Sequence, residues 1–310
     1  MTVPFISIGI TCFNCEDTIG RAIESAQAQV YPSFEILVVD DCSTDRSVSI
    51  VEAIAAKDER VRLIRHIENK GYPAALNTIS GEARGDFIAF FDDDDTSVPE
   101  RLGKQMERIS SFRSRYSGDV PVLCYANRTV VQDRGTHTAF AIGRCAPEPS
   151  GADVIRFILL DVMPEPFVWG VFGSCSLMME TRFLQRIGGF DESFRRCAEW
   201  DMAIRAASAG AHFLAVDETL VTQYKTDTSD KSGTIPLVYT LRLRDKHRSF
   251  FGRANLYYAS VLQAYARFYF FRERMALSRL FRLMACLCAP GILLVPQLRR
   301  KMGKIFGQAL

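Results

Sequence analysis

The sequence predicts an α/β fold: a mostly parallel sheet flanked by helices on both faces, continued by a basic helical extension. Three observations carry this. Short apolar runs alternate with amphipathic stretches through residues 1–100. Two of the runs, Glu35–Asp40 and Phe87–Phe91, are continuously apolar between their ends, as strands buried on both faces are. The polar residues that punctuate the chain fall directly after the runs, at the carboxyl ends of the strands, where open parallel sheets bind ligands.

Phe5–Thr11 is the first predicted strand. Within Asp17–Gln29 the apolar residues Ile19, Ala22, Ile23 and Ala26 recur three and four apart, which predicts one buried helix face. Glu35–Asp40 is the second strand, and Ser43 is placed to cap a helix running to Lys57. Val61–His66 follows as a strand, Tyr72–Gly81 as a helix and Phe87–Phe91 as the fourth strand. Beyond these the pattern weakens, with strands near Val120–Tyr125 and Arg128–Gln132 and a Pro-rich loop at Pro147–Pro149. Gly173–Met179 is strand-like, Thr181–Ile187 a short helix, Gly188–Glu192 a turn, and Trp200–Ala209 a helix that Gly210 ends in a left-handed cap. Helices rich in Arg and aromatic residues follow Ser229.

A chain of 310 residues, 48% apolar and 11% aromatic, holds enough apolar surface for a large core, which excludes a disordered or peptide-sized class. The net charge of +2 conceals a division: residues 1–239 carry 24 Lys and Arg against 34 Asp and Glu, net −10, and residues 240–310 carry 14 against 2, net +12. Such a basic tail faces something anionic. The nine cysteines are odd in number, and Cys124, Cys175 and Cys286 stand inside apolar runs, which predicts reduced thiols in a cytoplasmic protein. Cys12 and Cys15 have redox or zinc spacing, but no second pair joins them. The opening MTVPFISIGITCF has no basic segment or cleavage site, so it reads as a strand and not as a signal peptide. The longest uncharged apolar stretch, Leu283–Pro296, falls short of the roughly 20 residues that span a bilayer, so no transmembrane helix is expected.

The polar strand ends are Thr11-Cys-Phe-Asn14, Asp40-Asp41-Cys-Ser-Thr-Asp45, Asn69-Lys-Gly71 and Asp92-Asp-Asp-Asp95. Four adjacent aspartates repel one another unless a cation or a hydrogen-bond network lies among them. Carboxylates with no nearby His or Cys select Mg²⁺ or Mn²⁺, and such an ion also takes phosphate oxygens. The alternative is a solvated acidic turn; the position at the end of a buried strand favours the metal. Asp40 and Asp41, ending the neighbouring buried strand, are placed to accept hydrogen bonds from a base or ribose. No G-x-G-x-x-G follows the first strand and no G-x-x-x-x-G-K-[ST] occurs, which disfavours dinucleotide oxidoreductases and P-loop ATPases.

Over residues 4–226 these motifs resemble the family-2 glycosyltransferases of the GT-A fold. Ile8-Gly-Ile-Thr-Cys-Phe-Asn14 is similar to the family's first-strand motif, and the resemblance implies that Thr11, Phe13 and Asn14 meet the nucleotide, with Phe13 where most members carry Tyr. By the same resemblance Asp41 of Val38-Val-Asp-Asp-Cys-Ser-Thr-Asp45 binds the base edge, and Asn69, Gly71 and Asn77 lead in to the metal motif. Phe91-Asp-Asp-Asp-Asp95 looks like Asp-X-Asp-Asp, which assigns Asp92 and Asp93 to the nucleotide and Asp94 to Mn²⁺ or Mg²⁺. Gly188-Gly-Phe-Asp-Glu192 and Ala198-Glu-Trp-Asp201 resemble the acceptor segment, where members carry Glu-Asp and the Asp is the general base. Here Ala198-Glu199 stands in that place, so Glu199 is the candidate base and Asp201 its rival. Tyr224-Lys225 stands where an aromatic-basic pair lies near the diphosphate.

The resemblance implies an inverting transfer from a nucleoside-diphosphate sugar, most commonly a uridine diphosphate sugar, to a hydroxyl of a saccharide or polyprenyl-linked acceptor. It divides the chain into a nucleotide-sugar half (1–100), an acceptor half (101–229) and the helical basic region (230–310). In that region Tyr265-Ala-Arg-Phe-Tyr-Phe-Phe-Arg272, Leu280-Phe-Arg-Leu-Met284 and Leu298-Arg-Arg-Lys301 mix cationic, aromatic and aliphatic residues, as helices lying in a membrane interface do. That predicts a peripheral protein at the inner face of the cell membrane; the alternative is helices whose Arg residues pack on the acidic body. No motif supports a nucleic-acid partner. Two rival functions remain. A sugar-phosphate nucleotidyltransferase needs a basic Gly-rich loop after the first strand, where this chain has the acidic Thr11–Asp17 segment. A non-catalytic nucleotide-sugar binder or membrane scaffold is the reading that Ala198 keeps open.

Overall fold

In the computed structural model, which describes residues 3–116, 118–133, 135–225 and 233–294, the first apolar run forms β1 (Ile6–Cys12), buried along its whole length. β1 pairs in parallel with β2 (Phe34–Asp40) on one side and β4 (Phe87–Phe91) on the other, and β2 pairs in parallel with β3 (Val61–Arg65). Between them run α1 (Ile19–Gln27), α2 (Ser47–Ala55) and α3 (Tyr72–Glu82). α1 buries Ile19, Ala22, Ile23 and Ala26, the residues whose spacing predicts a helix face. α4 (Arg101–Arg113) adds Leu102, Met106, Ile109 and Phe112 to the same core, against Ile6, Ile8, Ile10 and Phe91.

The remaining strands are β5 (Thr96–Ser97), β6 (Val122–Gln132), β7 (Gly135–Ala139), β8 (Met178–Glu180) and β9 (His212–Tyr224), with α5 (Gly151–Leu160), α6 (Thr181–Arg186) and α7 (Ala198–Ser208). The sheet order is β3-β2-β1-β4-β8-β6-β9-β5, with β7 paired to β6. β8 is antiparallel to both β4 and β6, and β6 runs parallel to β9, so one reversed strand lies inside an otherwise parallel core. The mixed α/β sheet with flanking helices agrees with the predicted class.

Three local readings are corrected. The two weak strands after residue 119 are one strand, β6, with register irregularities at Ala126, Asn127 and Arg128. Gly173–Met179 is not a strand throughout: Ser174–Ser176 turn as a 3₁₀ helix, with the Ser176 N–H on Gly173 O and the Leu177 N–H on Ser174 O. Ser43 does not cap a helix. α2 starts at Ser47, whose N–H is accepted by Asp45 Oδ1 at 2.9 Å, while Ser43 Oγ accepts the Asn14 N–H at 2.9 Å.

The chain divides into two compact units. One holds residues up to Val154 together with Glu165–Asp227, and contains the sheet. The other holds Ile155–Pro164 and the chain from Thr228 on, with α8 (Ile235–Lys246), α9 (Ala254–Phe271) and α10 (Met275–Cys288). There the buried Arg244 donates to Ser260 O at 2.8 Å, Thr240 O at 2.9 Å and Leu159 O at 3.2 Å, tying three segments with one guanidinium. α9 and α10 form a hairpin in which Phe281 stacks on Tyr265 and Tyr269, ring centroids 5.2 and 5.5 Å away. Among the described residues no helix is long and apolar enough to cross a membrane. The basic segment Leu298–Lys301 lies outside the described residues.

Candidate active site at the carboxyl ends of the parallel strands

Because β1, β2 and β4 are parallel and adjacent, the residues following them emerge at one edge of the sheet. The loops after β1 and β2 are stitched together. Thr44 N–H donates to Asn14 Oδ1 at 2.8 Å, Cys15 N–H to Ser47 Oγ at 2.9 Å, and Glu16 N–H to Asp45 Oδ2 at 3.0 Å. Asn14 occupies the left-handed region at φ 48°, which Asn tolerates better than most residues. Its role is thus to fix the ledge that presents Phe13, whose ring is 47% exposed, while Thr11 is buried at the strand end. The Cys12 and Cys15 sulfurs that flank Phe13 lie 3.2 Å apart.

Asp41 is buried, and its carboxylate is engaged within the chain. Oδ1 accepts the Lys70 N–H at 2.9 Å and lies 2.7 Å from His66 Nδ1; Oδ2 accepts the Gly71 N–H at 2.7 Å. Asn69 Nδ2 donates to Asp41 O at 3.2 Å. Asp41, Asn69 and Gly71 are therefore brought together, with Asp41 holding the loop into α3 at a glycine whose φ of 90° suits that turn. The Asp40 carboxylate beside it accepts the Ser43 N–H, at 3.2 and 3.3 Å to its two oxygens.

The aspartates after β4 form the electrostatic centre. Burial, then the charges of Asp95, Asp94 and Asp93, raise Asp92 well above the usual carboxylate range. Burial and Asp94 push Asp93 up to about 6, against the Phe13 backbone and the Cys15 thiol, which favour its charged form. Burial and Asp94 push Asp95 up to about 7. Asp95 Oδ1 accepts the Tyr224 N–H at 3.0 Å, but Asp95 Oδ2 is buried with no hydrogen-bond partner among the described residues. Ligand atoms of Asp92, Asp95 and Cys175 lie within 4.8 Å of one another. This corrects the expectation of a cluster without cysteine: the 3₁₀ turn carries Cys175 in beside β4, where Phe90 N–H donates to Leu177 O. Burial raises the Cys175 thiol, which keeps it protonated, so the charged donors remain carboxylates. An orphaned buried oxygen among crowded carboxylates is a donor set that fits a hard divalent cation. Asp94 lies at the half-buried margin of this cluster, and its carbonyl accepts Arg21 Nη2 at 2.6 Å.

Glu199 and Asp201 both occupy the first turn of α7, and their environments differ. Asp201 is fully buried, with Oδ2 accepting Arg205 Nε at 2.8 Å. Arg205 in turn donates to Ile187 O, and to Gly189 O at 2.6 Å, so this pair braces the Gly188–Gly189 turn. Asn77 secures the same turn from α3, donating to Phe190 O at 2.8 Å and accepting the Phe190 N–H at 2.7 Å. Glu199 is half-buried, and its Oε1 accepts Ser174 Oγ at 3.3 Å. Ser174 Oγ is 2.6 Å from the Tyr72 hydroxyl, which reaches Asp92 Oδ1 at 3.4 Å. A line of polar groups thus joins Glu199 to the aspartate cluster.

Several residues of this site escaped sequence reasoning. Tyr72 and Ser174 carry no signal of their own. Arg101 did: with Gln105 it is a polar residue on the apolar stripe of α4. It is fully buried, donates to Phe90 O at 2.8 Å, lies 4.1 Å over the Phe91 ring, and is lowered by burial to about 10, so it stays charged beneath the acidic strand end. Arg128 reaches Cys175 Sγ at 3.3 Å and adds a second cation near Asp92 and Asp95. Tyr224 is brought to the cluster by its backbone, with Arg21 4.2 Å over its ring, whereas Lys225 points to Gln132 Oε1 at 3.4 Å.

Comparison with known proteins gives this edge a context. The model of the family described as Glycosyl transferase family 2 matches residues 7–148. The chain is 44% identical over 117 residues to the succinoglycan biosynthesis protein ExoO of Rhizobium meliloti, a match covering 38% of this chain and 33% of that protein. It is 40% identical over 115 residues to the Escherichia coli UDP-Glc:alpha-D-GlcNAc-diphosphoundecaprenol beta-1,3-glucosyltransferase WfaP, covering 37% and 45%. These matches span less than half the length of either relative. Among solved structures, S. aureus TarS 1–349 in complex with UDP-GlcNAc superposes with a TM-score of 0.63 at 19% identity, covering 86% of this chain and 73% of that one.

Proposed function

We propose that the chain, whose residues 7–148 match the model of glycosyl transferase family 2 within a sheet like that of TarS, transfers a sugar, with inversion, from a nucleoside-diphosphate sugar to an acceptor hydroxyl in polysaccharide biosynthesis. The observation that carries this is the line from Glu199 through Ser174 and Tyr72 to Asp92, which sets one half-buried carboxylate opposite the aspartate cluster. Glu199 removes the proton of the acceptor hydroxyl, whose oxygen bonds to the anomeric carbon as the bond to the nucleoside diphosphate breaks. Ser174 orients Glu199, and Asp201 acts through Arg205 on the turn beneath it. Thr11 and the exposed Phe13 face the base, with Asn14 and Asp41 holding the loops around it and Asp92 and Asp93 toward the ribose. Asp94, with Asp92 and Asp95, holds Mn²⁺ or Mg²⁺, which when bound neutralises charge on the diphosphate.

The donor is a uridine diphosphate sugar, a reading supported by the donors named for TarS and WfaP, and the acceptor a saccharide or polyprenyl-linked saccharide, supported by the lipid-linked acceptor named for WfaP. Such an acceptor places the protein at the inner face of the cell membrane. Ala198, the feature favouring a non-catalytic binder, is 2% exposed, so a carboxylate there would be buried, whereas Glu199 is the open one. The test is release of nucleoside diphosphate from a panel of nucleotide sugars with Mn²⁺ or Mg²⁺ and a lipid-linked acceptor. Metal-dependent release from one donor, lost in Glu199→Gln while calorimetry still shows donor binding, is the expected result. Full activity of Glu199→Gln removes that residue from the mechanism, and donor binding without turnover in the wild type selects the binder.

A further inference from the structure

α10 is apolar on both sides. Its inner face packs on α9 through Ser278, whose Oγ donates to Ala266 O at 2.8 Å, and through Phe281 and Ala285. On the opposite face Leu280, Leu283, Met284 and Leu287 recur three and four apart and are 51%, 58%, 40% and 70% exposed. The patch continues onto the turn between the helices, where Phe270, Phe271 and Met275 are exposed. Arg272, Arg274, Arg279 and Arg282 are exposed among these residues, against the single acid Glu273. A helix with apolar residues on two opposite faces normally has both covered, and α10, with 14 residues, is too short to span a bilayer.

We propose that the outward face of α10 is a docking surface for an anionic lipid bilayer. The leucines and Met284 enter the acyl boundary while the four arginines meet the headgroups, so that the hairpin lies in the plane of the interface. Charge selects this occupant over a second copy of the chain, because a two-fold contact through the same face sets arginines against arginines, whereas anionic headgroups neutralise them. The proposal gives the membrane location of the proposed function a specific surface, and it is tested without donor or acceptor, so its failure is distinguishable from failure of the transferase reading.

The experiment is co-sedimentation of the full-length protein with vesicles of phosphatidylcholine alone and of phosphatidylcholine with phosphatidylglycerol, at low and high salt. The wild type is expected to pellet with the anionic vesicles at low salt. Arg279→Glu with Arg282→Glu is expected to lower partitioning by about tenfold or more, and Leu283→Glu with Leu287→Glu to abolish it, with unchanged circular dichroism because all four positions are exposed. Wild-type protein left in the supernatant overturns the proposal, as does a leucine double variant that pellets like the wild type. A concentration-dependent dimer in light scattering, dissolved by the leucine changes and with no vesicle binding, overturns it in favour of self-association.

Discussion

Substituting Asp201 by Asn and Glu199 by Gln separates stability from catalysis within one helical turn. Asp201 is fully buried and gives Arg205 its carboxylate at 2.8 Å, and Arg205 is itself 21% exposed in its side chain. Removing one partner of a buried ion pair commonly costs about 3–5 kcal/mol. Here Arg205 keeps its contacts to Ile187 O and Gly189 O and some access to water, and Asn still offers one acceptor oxygen. The expected cost of Asp201→Asn is therefore about 2–3 kcal/mol. In a unit of this size that lowers Tm by roughly 4–10 °C. Sugar transfer per folded molecule, assayed well below the new Tm, is expected to stay within about fivefold of the wild type, since a positioning group is perturbed and no proton acceptor is lost. Glu199→Gln is expected to reverse this pattern: Tm within about 2 °C, because its one described hydrogen bond is long and half-exposed, and kcat reduced by about 10²–10⁴. Melting curves and single-donor kinetics on the same preparations decide the matter. If Asp201→Asn melts normally and loses kcat, Asp201 is the base and the reasoning from its ion pair is refuted.

Phe13→Ala is expected to raise KM for the nucleotide sugar by about 5–10-fold with kcat little changed, since an exposed stacking ring contributes to ground-state and transition-state binding alike; an unchanged KM excludes stacking on Phe13. Gly189→Ala is expected to destabilise by about 2–4 kcal/mol in urea, because Gly189 sits at φ 63° and a Cβ there would lie 2.4 Å from Asn77 Oδ1; an unaltered midpoint would show that the turn yields freely. Asp95→Asn removes one of the crowded carboxylates, so the metal-free protein is expected to melt about 1–2 kcal/mol more stably and to lose the rise in Tm that Mn²⁺ gives the wild type. Melts with and without Mn²⁺ read both effects. Chelation is expected to stop nucleoside diphosphate release and added Mn²⁺ to restore it; release that persists in chelator argues against a metal at the aspartates.

Half of the sheet is legible in the sequence because its strands are buried on both faces. Glu35–Asp40 and Phe87–Phe91 have no solvent face to interrupt their apolar runs, and α1 shows its period because only one side of it is buried. β9 is hidden for the opposite reason: Asp217, Glu218 and Thr219 stay exposed in the middle of a 13-residue strand, breaking the apolar run into two. The site divides the same way. The aspartates and Phe13 are visible because they follow strands directly. Tyr72, Ser174, Cys175 and Arg128 come from three places in the chain and converge only through folding; at Gly173, just before the 3₁₀ turn, a Cβ would lie 1.8 Å from the Arg128 guanidinium. Asp41 shows a further limit, since a carboxylate after a strand reads identically whether it awaits a ligand or closes its own loop, as Lys70 and Gly71 make it do.

The reversed strand β8 has a consequence for how the chain is made. β4, which ends in the aspartates, is bordered on one side by β1 and on the other by β8, and β8 joins it to β6. The segment that closes this border is synthesised more than 80 residues after β4, following β6 and α5. Until Met178–Glu180 arrives, Phe87–Phe91 presents an unpaired apolar edge open to other chains. A chain that has released β4 but still lacks Met178–Glu180 thus carries this edge open to aggregation, and only a chain that has released Glu180 as well can close it.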